Sequence, residues 1–422
     1  MFTLRGNVWT YSRRTLPFVG MWDPIDGEMP KFWAPKTNRF WSMALQPLRK
    51  HYLHNFYGIA DISLEGVEHL QKVSPGDGVL LAPNHSHDSD PHVMMEVGRR
   101  LGRQLYFMAA WQVFRAHKGI DGFVMQRMGA FSVDREGCDR RAVRQAVELL
   151  CGGRSLVVFP EGEVYRLNGR LTPLLEGVPF MALTAQRELE KSARDCRVWV
   201  VPAAIRYRYV DDIRPKLEEA MTRLEARMVL KVKPGTPLPE RIVRFGEMML
   251  TLKEKERTGR SGEGTGELHV RIANLIELLL SKRETQHLKK SPSADTVPLR
   301  VKALRRHLIE VWTEDATPPD ERRAAREALD DVQLALQLYS YPGDYVTEQP
   351  TIERMAETVE KFEEDIEGAA RPKGRRRARV LFGEPINLKL HTAGNARPRV
   401  ITAELTHRLE ETIQSLMAKG DT

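Results

Sequence analysis

Short apolar runs punctuate the first half of the chain at 78–82 (GVLLA), 130–133 (AFSV), 155–159 (SLVVF) and 198–205 (VWVVPAAI). Stretches of helical periodicity separate them, among them 139–151 (DRRAVRQAVELLC) and 177–190 (GVPFMALTAQRELE). The second opens on Gly177 and carries Pro179 in its first turn, where a missing amide hydrogen costs little. Short apolar strands spaced by amphipathic helices predict an α/β fold, with a mostly parallel-crossover sheet flanked by helices. Beyond residue 210 the pattern lengthens into charged helices. Leu268, Ile272, Leu275, Ile276 and Leu279 form one stripe over 268–283, and 320–340 and 351–367 read similarly. Breaker-rich linkers at 257–266, 289–298 and 315–320 divide these segments. The strand signal then returns once, at 378–390 (ARVLFGEPINLKL), before an amphipathic helix carrying Leu405, Leu409, Ile413 and Leu416. The competing closing strand, 227–240 (RMVLKVKPGTPLPE), has the less clean apolar run.

This order predicts four parts. They are an aromatic and basic N-terminal arm over 1–57, a core over 58–210, a large helical insertion over 211–375, and over 376–422 a returning strand and C-terminal helix that rejoin the core. In the arm, Trp9, Trp22, Trp33 and Trp41 are mixed with Lys and Arg. That mixture reads first as an arm wrapped over the body, and second as a contact with an anionic membrane surface.

Composition narrows the class. The 422 residues are 41% hydrophobic and 29% charged, as in a folded protein of two or three domains. A formal charge of +8 favours anionic partners. Nucleic acid is the least expected of these, since no helix-turn-helix, zinc-finger or ribonucleoprotein signature is present. The basic run 373–379 (KGRRRAR) reads as a solvated linker leading into the returning strand. Three cysteines, Cys138, Cys151 and Cys196, without a CxxC spacing, suit a reducing compartment. No apolar run approaches the roughly 18–20 residues of a membrane span, and the N-terminus lacks a signal-peptide apolar region. The expected location is cytoplasmic, peripheral at a membrane surface.

The candidate chemistry is concentrated at 80–92 (LLAPNHSHDSDPH). Three histidines and three aspartates suggest a metal, but their spacing misses the His-x-His-x-Asp-His pattern and no HExxH or second His pair supports it, so no metal is expected. A catalytic pair needs only His85 and Asp90. His85 would stand where the strand ends, and Asp90 about one turn on could fix its tautomer and leave the other ring nitrogen as a general base. His87, Asp88 and His92 then read as a solvated turn.

The other strand ends extend this reading. NHSHDSD (84–90), GAFSVDR (129–135), FPEGE (159–163) and VPAAI (201–205) match, in order, the four blocks of the glycerophospholipid acyltransferase family, which the chain resembles. That family includes the 1-acylglycerol-3-phosphate acyltransferases. ISLEGVEHL (62–70) looks like its lead-in and FGEPINL (382–388) like its closing strand. The resemblance covers roughly 58–210 and 376–417 and implies the glycerolipid acyltransferase fold, leaving the arm and insertion outside. It implies a fatty acyl transfer from acyl-CoA or acyl carrier protein, as co-substrate rather than cofactor, to a glycerophosphate-type lipid hydroxyl. His85 would be the general base and Asp90 its orienter. Arg135, with Asp134, would bind the acceptor phosphate. Glu161 and Gly162 would complete the acceptor pocket, and Pro202 would shape the donor site.

Two departures bear on the substrate. Many members continue Thr-Arg-Ser after Glu-Gly, whereas here Glu163, Val164, Tyr165 and Arg166 follow, so Arg166 would replace the missing arginine. His87 also stands where many members have serine. Three readings from the residues alone stay open: an Arg135–Glu136 ion pair, a Glu161 that caps a turn, and a non-catalytic lipid-binding or scaffold protein on the same fold.

Overall fold

The computed structural model describes residues 31–137, 139–259, 266–289, 295–314, 316–392 and 397–420. Trp9, Trp22 and Cys138 lie outside them. The described residues divide into two compact units, one of 31–211 with 375–420, the other of 212–374.

The first unit is built on one mixed sheet. Its strands are β1 (Ile59–Glu65), β2 (Gly78–Pro83), β3 (Leu105–Ala110), β4 (Ala130–Val133), β5 (Ser155–Val157), β6 (Val198–Tyr209), β7 (Arg376–Phe382) and β8 (Ile386–Asn387). They lie in the order β1-β7-β6-β2-β5-β3-β4, with β8 on β6. All pairings are parallel except β6 with β7 and β6 with β8. The late strand thus enters the sheet between β1 and β6, next to the edge strand.

The continuous apolar runs follow from burial on both faces. Leu80 and Ala82 point into a layer formed with Leu150, Met181 and Ile413, from helices α2 (Arg140–Cys151), α3 (Gly177–Lys191) and α4 (Pro398–Lys419). Val79 and Leu81 point oppositely, toward Val93, Met94 and Val97 of α1 (Asp90–Arg100). The period of two along β2 therefore sorts one strand into two cores. Asp139 caps α2, accepting from the Arg141 and Ala142 amides.

The sequence pattern did not separate β3 from the helix Trp111–Arg115 that follows it, because the apolar run from 105 to 114 suits either state. The basic run is not a solvated linker. Lys373 is buried and pairs with Glu363 at 2.5 Å within the helical unit. In the sheet unit Arg375 meets Asp211 at 2.8 Å and Arg379 meets Glu65 at 2.5 Å. Carboxylates from other segments pair with these three cations, which no local pattern reveals. The described part of the arm lies on the sheet unit. The Trp33 amide donates to Ser132 Oγ at 2.8 Å and its ring stacks on Phe114 at 5.9 Å.

The second unit is helical. Its helices include Arg214–Arg227, Leu238–Thr258, Leu268–Arg283, Val297–Thr313, Pro319–Tyr339 and Ile352–Glu367. No strand forms within 227–240. Ile272, Leu275, Ile276 and Leu279 of the stripe are buried, and Arg300 is held between Glu284 at 2.9 Å and Glu277 at 2.5 Å. No described helix is long and apolar enough to cross a membrane.

Candidate active site

β2 delivers His85 to the end of the sheet. Asn84 locks the exit of the strand by clasping Ile205 of β6, accepting from its amide at 2.6 Å and donating to its carbonyl at 3.2 Å. The His85 ring lies on the face of Phe159, centroid to centroid 3.9 Å. Its backbone amide donates to Glu161 Oε1 at 2.6 Å, and its Nδ1 lies 2.9 Å from Asp90 Oδ2. Asp90, at the start of α1, is fully buried, while the His85 side chain retains 15% exposure.

Around Asp90 the protons all run one way. Arg376 Nη1 of β7 is 2.5 Å from His87 Nε2. Guanidinium only donates, so Nε2 must accept and His87 Nδ1 must carry the proton of a neutral ring. Burial, with Arg376 and Arg166, holds the His87 pKa well below the usual imidazole range, consistent with that neutral form. Nδ1 then donates to Ser89 Oγ at 2.7 Å, in competition with the Ser89 amide, whose N–H points at the same nitrogen at 3.1 Å. Ser89 Oγ donates to Tyr207 OH at 2.9 Å, and Tyr207 to Asp90 Oδ1 at 2.5 Å. Burial and the Asp90 charge push the Tyr207 phenol well above its ordinary pKa, so it keeps its proton. The His87 amide adds a third donor to Asp90 at 2.9 Å. With Asp90 accepting throughout, His85 holds its proton on Nδ1 and offers Nε2 as a base.

The solvated-turn expectation for His87, Asp88 and His92 is therefore corrected. His87 is a half-buried link, and Asp88 pairs with Arg166 at 3.1 Å. His92 stacks on Tyr52 at 5.9 Å and packs against Tyr57 at 5.2 Å, and burial lowers its pKa to about 4.

The remaining candidates surround this pair in different ways. Glu161 is buried and its carboxylate is occupied by backbone. It accepts from the amides of His85 and Thr172 and from the Thr172 hydroxyl, so it props the His85 loop. Burial raises it to about 7 despite those donors. Gly162 adopts φ +78°, and a Cβ there would meet Leu175 at 2.6 Å, so only glycine fits without rearrangement. Arg135 donates to the Gly162 carbonyl at 3.2 Å and pairs with Glu163 at 2.7 Å. Burial alone would lower its pKa, but Glu163 and Glu136 outweigh that and keep it charged. Asp134 closes its own turn by accepting from the Glu136 amide at 3.1 Å. Pro202 lies within β6 opposite Ala82, its carbonyl accepting from the Gly383 amide at 2.9 Å. Hydrogen bonds thus tie Arg135, Gly162 and Arg166 to the segments that carry Glu161 and His85. Among the described residues, no group of three or more His, Cys, Asp or Glu side chains is placed to hold a metal ion.

The family model described as Acyltransferase matches residues 61–206. The chain carries an acyltransferase-family domain. No curated protein matches the chain. The match contains His85, Asp90 and the loops around them, whereas two contributors to the proton chain, Tyr207 and Arg376, fall beyond it. Tyr207 sits at a buried position of β6, and Arg376 is hidden in the basic run; neither carries a local motif.

Two outcomes test this machinery. In the acyltransferase domain, Tyr207→Phe removes one donor from Asp90, which then pulls harder on a His85 imidazolium. Acyl transfer is expected to fall about tenfold, from one hydrogen bond of about 1–1.5 kcal/mol, and the acid limb of kcat/KM to move to higher pH. A fall without that movement would make Tyr207 merely structural. For Glu161 the folded pKa lies above the unfolded value of 4.5, so between pH 4.5 and about 7 the unfolded chain releases a proton that the folded one retains. Stability then declines as pH rises through that window, by roughly 3 kcal/mol for a shift of this size. Urea unfolding of wild type and Glu161→Gln at pH 5 and 7.5 should show a smaller decline in the variant, the difference being the share of Glu161, since Asp365, which burial also raises to about 7, titrates in both. Parallel behaviour would contradict it.

Proposed function

We propose that the domain moves a fatty acyl group from acyl-CoA or acyl carrier protein to the hydroxyl of a glycerophosphate-type lipid, lysophosphatidate or similar, in phospholipid synthesis. The observation that carries this reading is the His85–Asp90 pair, with three donors fixing Asp90 and the proton placed on His85 Nδ1.

In the proposed reaction Nε2 takes the hydroxyl proton as the oxygen attacks the thioester carbonyl. The C–O bond forms, the C–S bond breaks on collapse of the tetrahedral intermediate, and the departing thiolate recovers the proton from the imidazolium. Attack is direct, from a ternary complex, and no cofactor takes part. Asp90 stabilises the imidazolium formed on the way. Arg135 and Arg166 supply positive charge for the acceptor phosphate, competing with Glu163 and Asp88 for their guanidinium forks. Asp134 and Gly162 shape the loop around that phosphate, Glu161 holds it against the His85 loop, and Pro202 lines the donor side.

A peripheral place at an anionic membrane surface on the cytoplasmic side fits the acceptor. The positive charge of the chain supports it, as do Phe40 and Phe56, which are 66% and 49% exposed on the sheet unit. Nucleic acid is not a proposed partner. The test is thiol release from acyl-CoA and from acylated carrier protein, with lysophosphatidate, glycerol 3-phosphate or no acceptor. Acceptor-dependent release is expected; its absence with every pairing would favour a non-catalytic lipid-binding or scaffold protein.

A further inference from the structure

The hydrogen bonds behind Asp90 can run in two directions. Ser89 Oγ lies 2.7 Å from His87 Nδ1 and 2.9 Å from Tyr207 OH, and Tyr207 OH lies 2.5 Å from Asp90 Oδ1. Hydroxyls can donate or accept at each of these contacts. If His87 Nδ1 carries the ring proton, it donates to Ser89, Ser89 donates to Tyr207, and Tyr207 donates to Asp90. If Nδ1 is bare, Ser89 donates to it, Tyr207 donates to Ser89, and Asp90 Oδ1 loses its phenol donor. The same atoms at the same distances serve both directions.

Two donors compete for the His87 ring. The Ser89 amide points at Nδ1 at 3.1 Å, which favours the second direction. Against it stands Arg376, whose Nη1 lies 2.5 Å from Nε2. Neither donor can accept, and a neutral imidazole has one bare nitrogen, so only one of them is satisfied. The guanidinium is charged and its contact is the shorter, and a charge-assisted bond is roughly twice as strong as a neutral one. Arg376 therefore takes Nε2 and leaves the proton on Nδ1. Its own place is fixed from several sides. Its amide donates to the Gly58 carbonyl at 2.8 Å, its guanidinium lies 4.9 Å from the centre of the Tyr209 ring, and the preceding Arg375 is clamped to Asp211 at 2.8 Å. The other titratable groups beside His87 are His85, Asp88, Asp90, Tyr57, Tyr207 and Arg166. Of these, His85 and Arg166 join Arg376 in opposing a positive ring.

We infer that Arg376 is a positioning residue for acyl transfer, which by holding His87 Nε2 sets the direction of the chain and keeps the Tyr207 proton on Asp90. The role rests on the reaction proposed above, in which Asp90 stabilises the His85 imidazolium. Arg376 acts through His87, Ser89 and Tyr207, and it lies outside the segment that matches the acyltransferase family.

Arg376→Met keeps an unbranched stem beside Tyr209 and removes the donor. Nitrogen NMR of the histidine rings in the full-length protein, with the His87 signals assigned by their loss in His87→Gln, reads the tautomer without substrate. Wild type is expected to carry the proton on Nδ1 and Arg376→Met on Nε2. A wild-type proton on Nε2, or one tautomer in both proteins, would overturn the inference. Absence of acyl transfer with every acceptor would sink the reaction and this role with it, but would leave the tautomer result intact, so the two failures are distinguishable. In thiol release, Arg376→Met should lower kcat/KM about tenfold, as for Tyr207→Phe, and move the acid limb to higher pH. Loss of a cation moves that limb the same way, so two further backgrounds separate the causes. In Tyr207→Phe there is no phenol proton to withdraw from Asp90, and in Ser89→Ala no hydroxyl to receive it. Arg376→Met should shift the limb less in either background than in wild type. An equal shift in all three would leave only the charge of Arg376 and overturn the inference.

Discussion

His85→Ala is expected to lower acceptor-dependent thiol release by about 10²–10⁴-fold, the range for losing a positioned general base. The reason is local. The attacking hydroxyl must lose its proton as the C–O bond forms, and His85 Nε2 is the nitrogen that the proton chain leaves open to receive it. The variant also isolates the chemistry from the scaffold. Its backbone amide can still donate to Glu161, so the loop that carries residue 85 keeps its anchor. What goes is the imidazole and its stacking on Phe159. Circular dichroism and the melting midpoint should therefore change little while kcat/KM collapses. Equal activity in the two proteins would end the assignment of His85 as base.

The second large effect belongs to Asp90→Asn. Asp90 accepts from His85 Nδ1, the His87 amide and Tyr207 OH, and has no contact with solvent. An amide of the same shape can turn only one oxygen toward three donors and must present its own NH2 to at least one of them. With the NH2 in the Oδ2 place, His85 regains a partner only by putting its proton on Nε2, the position that the reaction needs empty. With the NH2 turned to Tyr207 instead, the tautomer is kept but the charge that stabilises the imidazolium is lost. A loss of roughly 10³–10⁴-fold is expected, comparable to the wrong-tautomer effect in catalytic triads. Because the two residues act as a unit, His85→Ala/Asp90→Asn should be no slower than His85→Ala alone. Multiplying losses would show that Asp90 contributes independently of the imidazole. The unpaired donors should also cost about 1–3 kcal/mol of stability each, visible in urea unfolding.

How far the sequence reached depends on the range of each interaction. β2, β4, β5 and β6 were legible because each is an apolar run bounded by polar or turn residues. β3 was not, since its run merges with the next helix and either state satisfies the pattern. The proximity of His85 and Asp90 was legible because both lie on one turn. The condition of His87 was not, because its surroundings come from Tyr207 and Arg376, far away in the chain. The charge of the 373–379 run was plain, but its pairing with Asp211, Glu65 and Glu363 depends on the fold. Polar chemistry carried by neighbours in sequence can be read there, whereas partners supplied by topology cannot.

The position of β7 has a consequence for synthesis. β1 has β7 as its only neighbour in the described sheet, with Ile59 opposite Arg376, and β6 waits for the same strand along its other edge. A nascent chain that has already made Ile59–Glu65 and Val198–Tyr209 must translate the whole helical unit before either edge is closed. At about 5–20 residues per second, that interval lasts many seconds. During it two strand edges stand open to wrong partners, and His87 lacks the arginine that sets its tautomer. The domain is thus assembled only after the helical unit has been made, which places a period of aggregation risk on the ribosome.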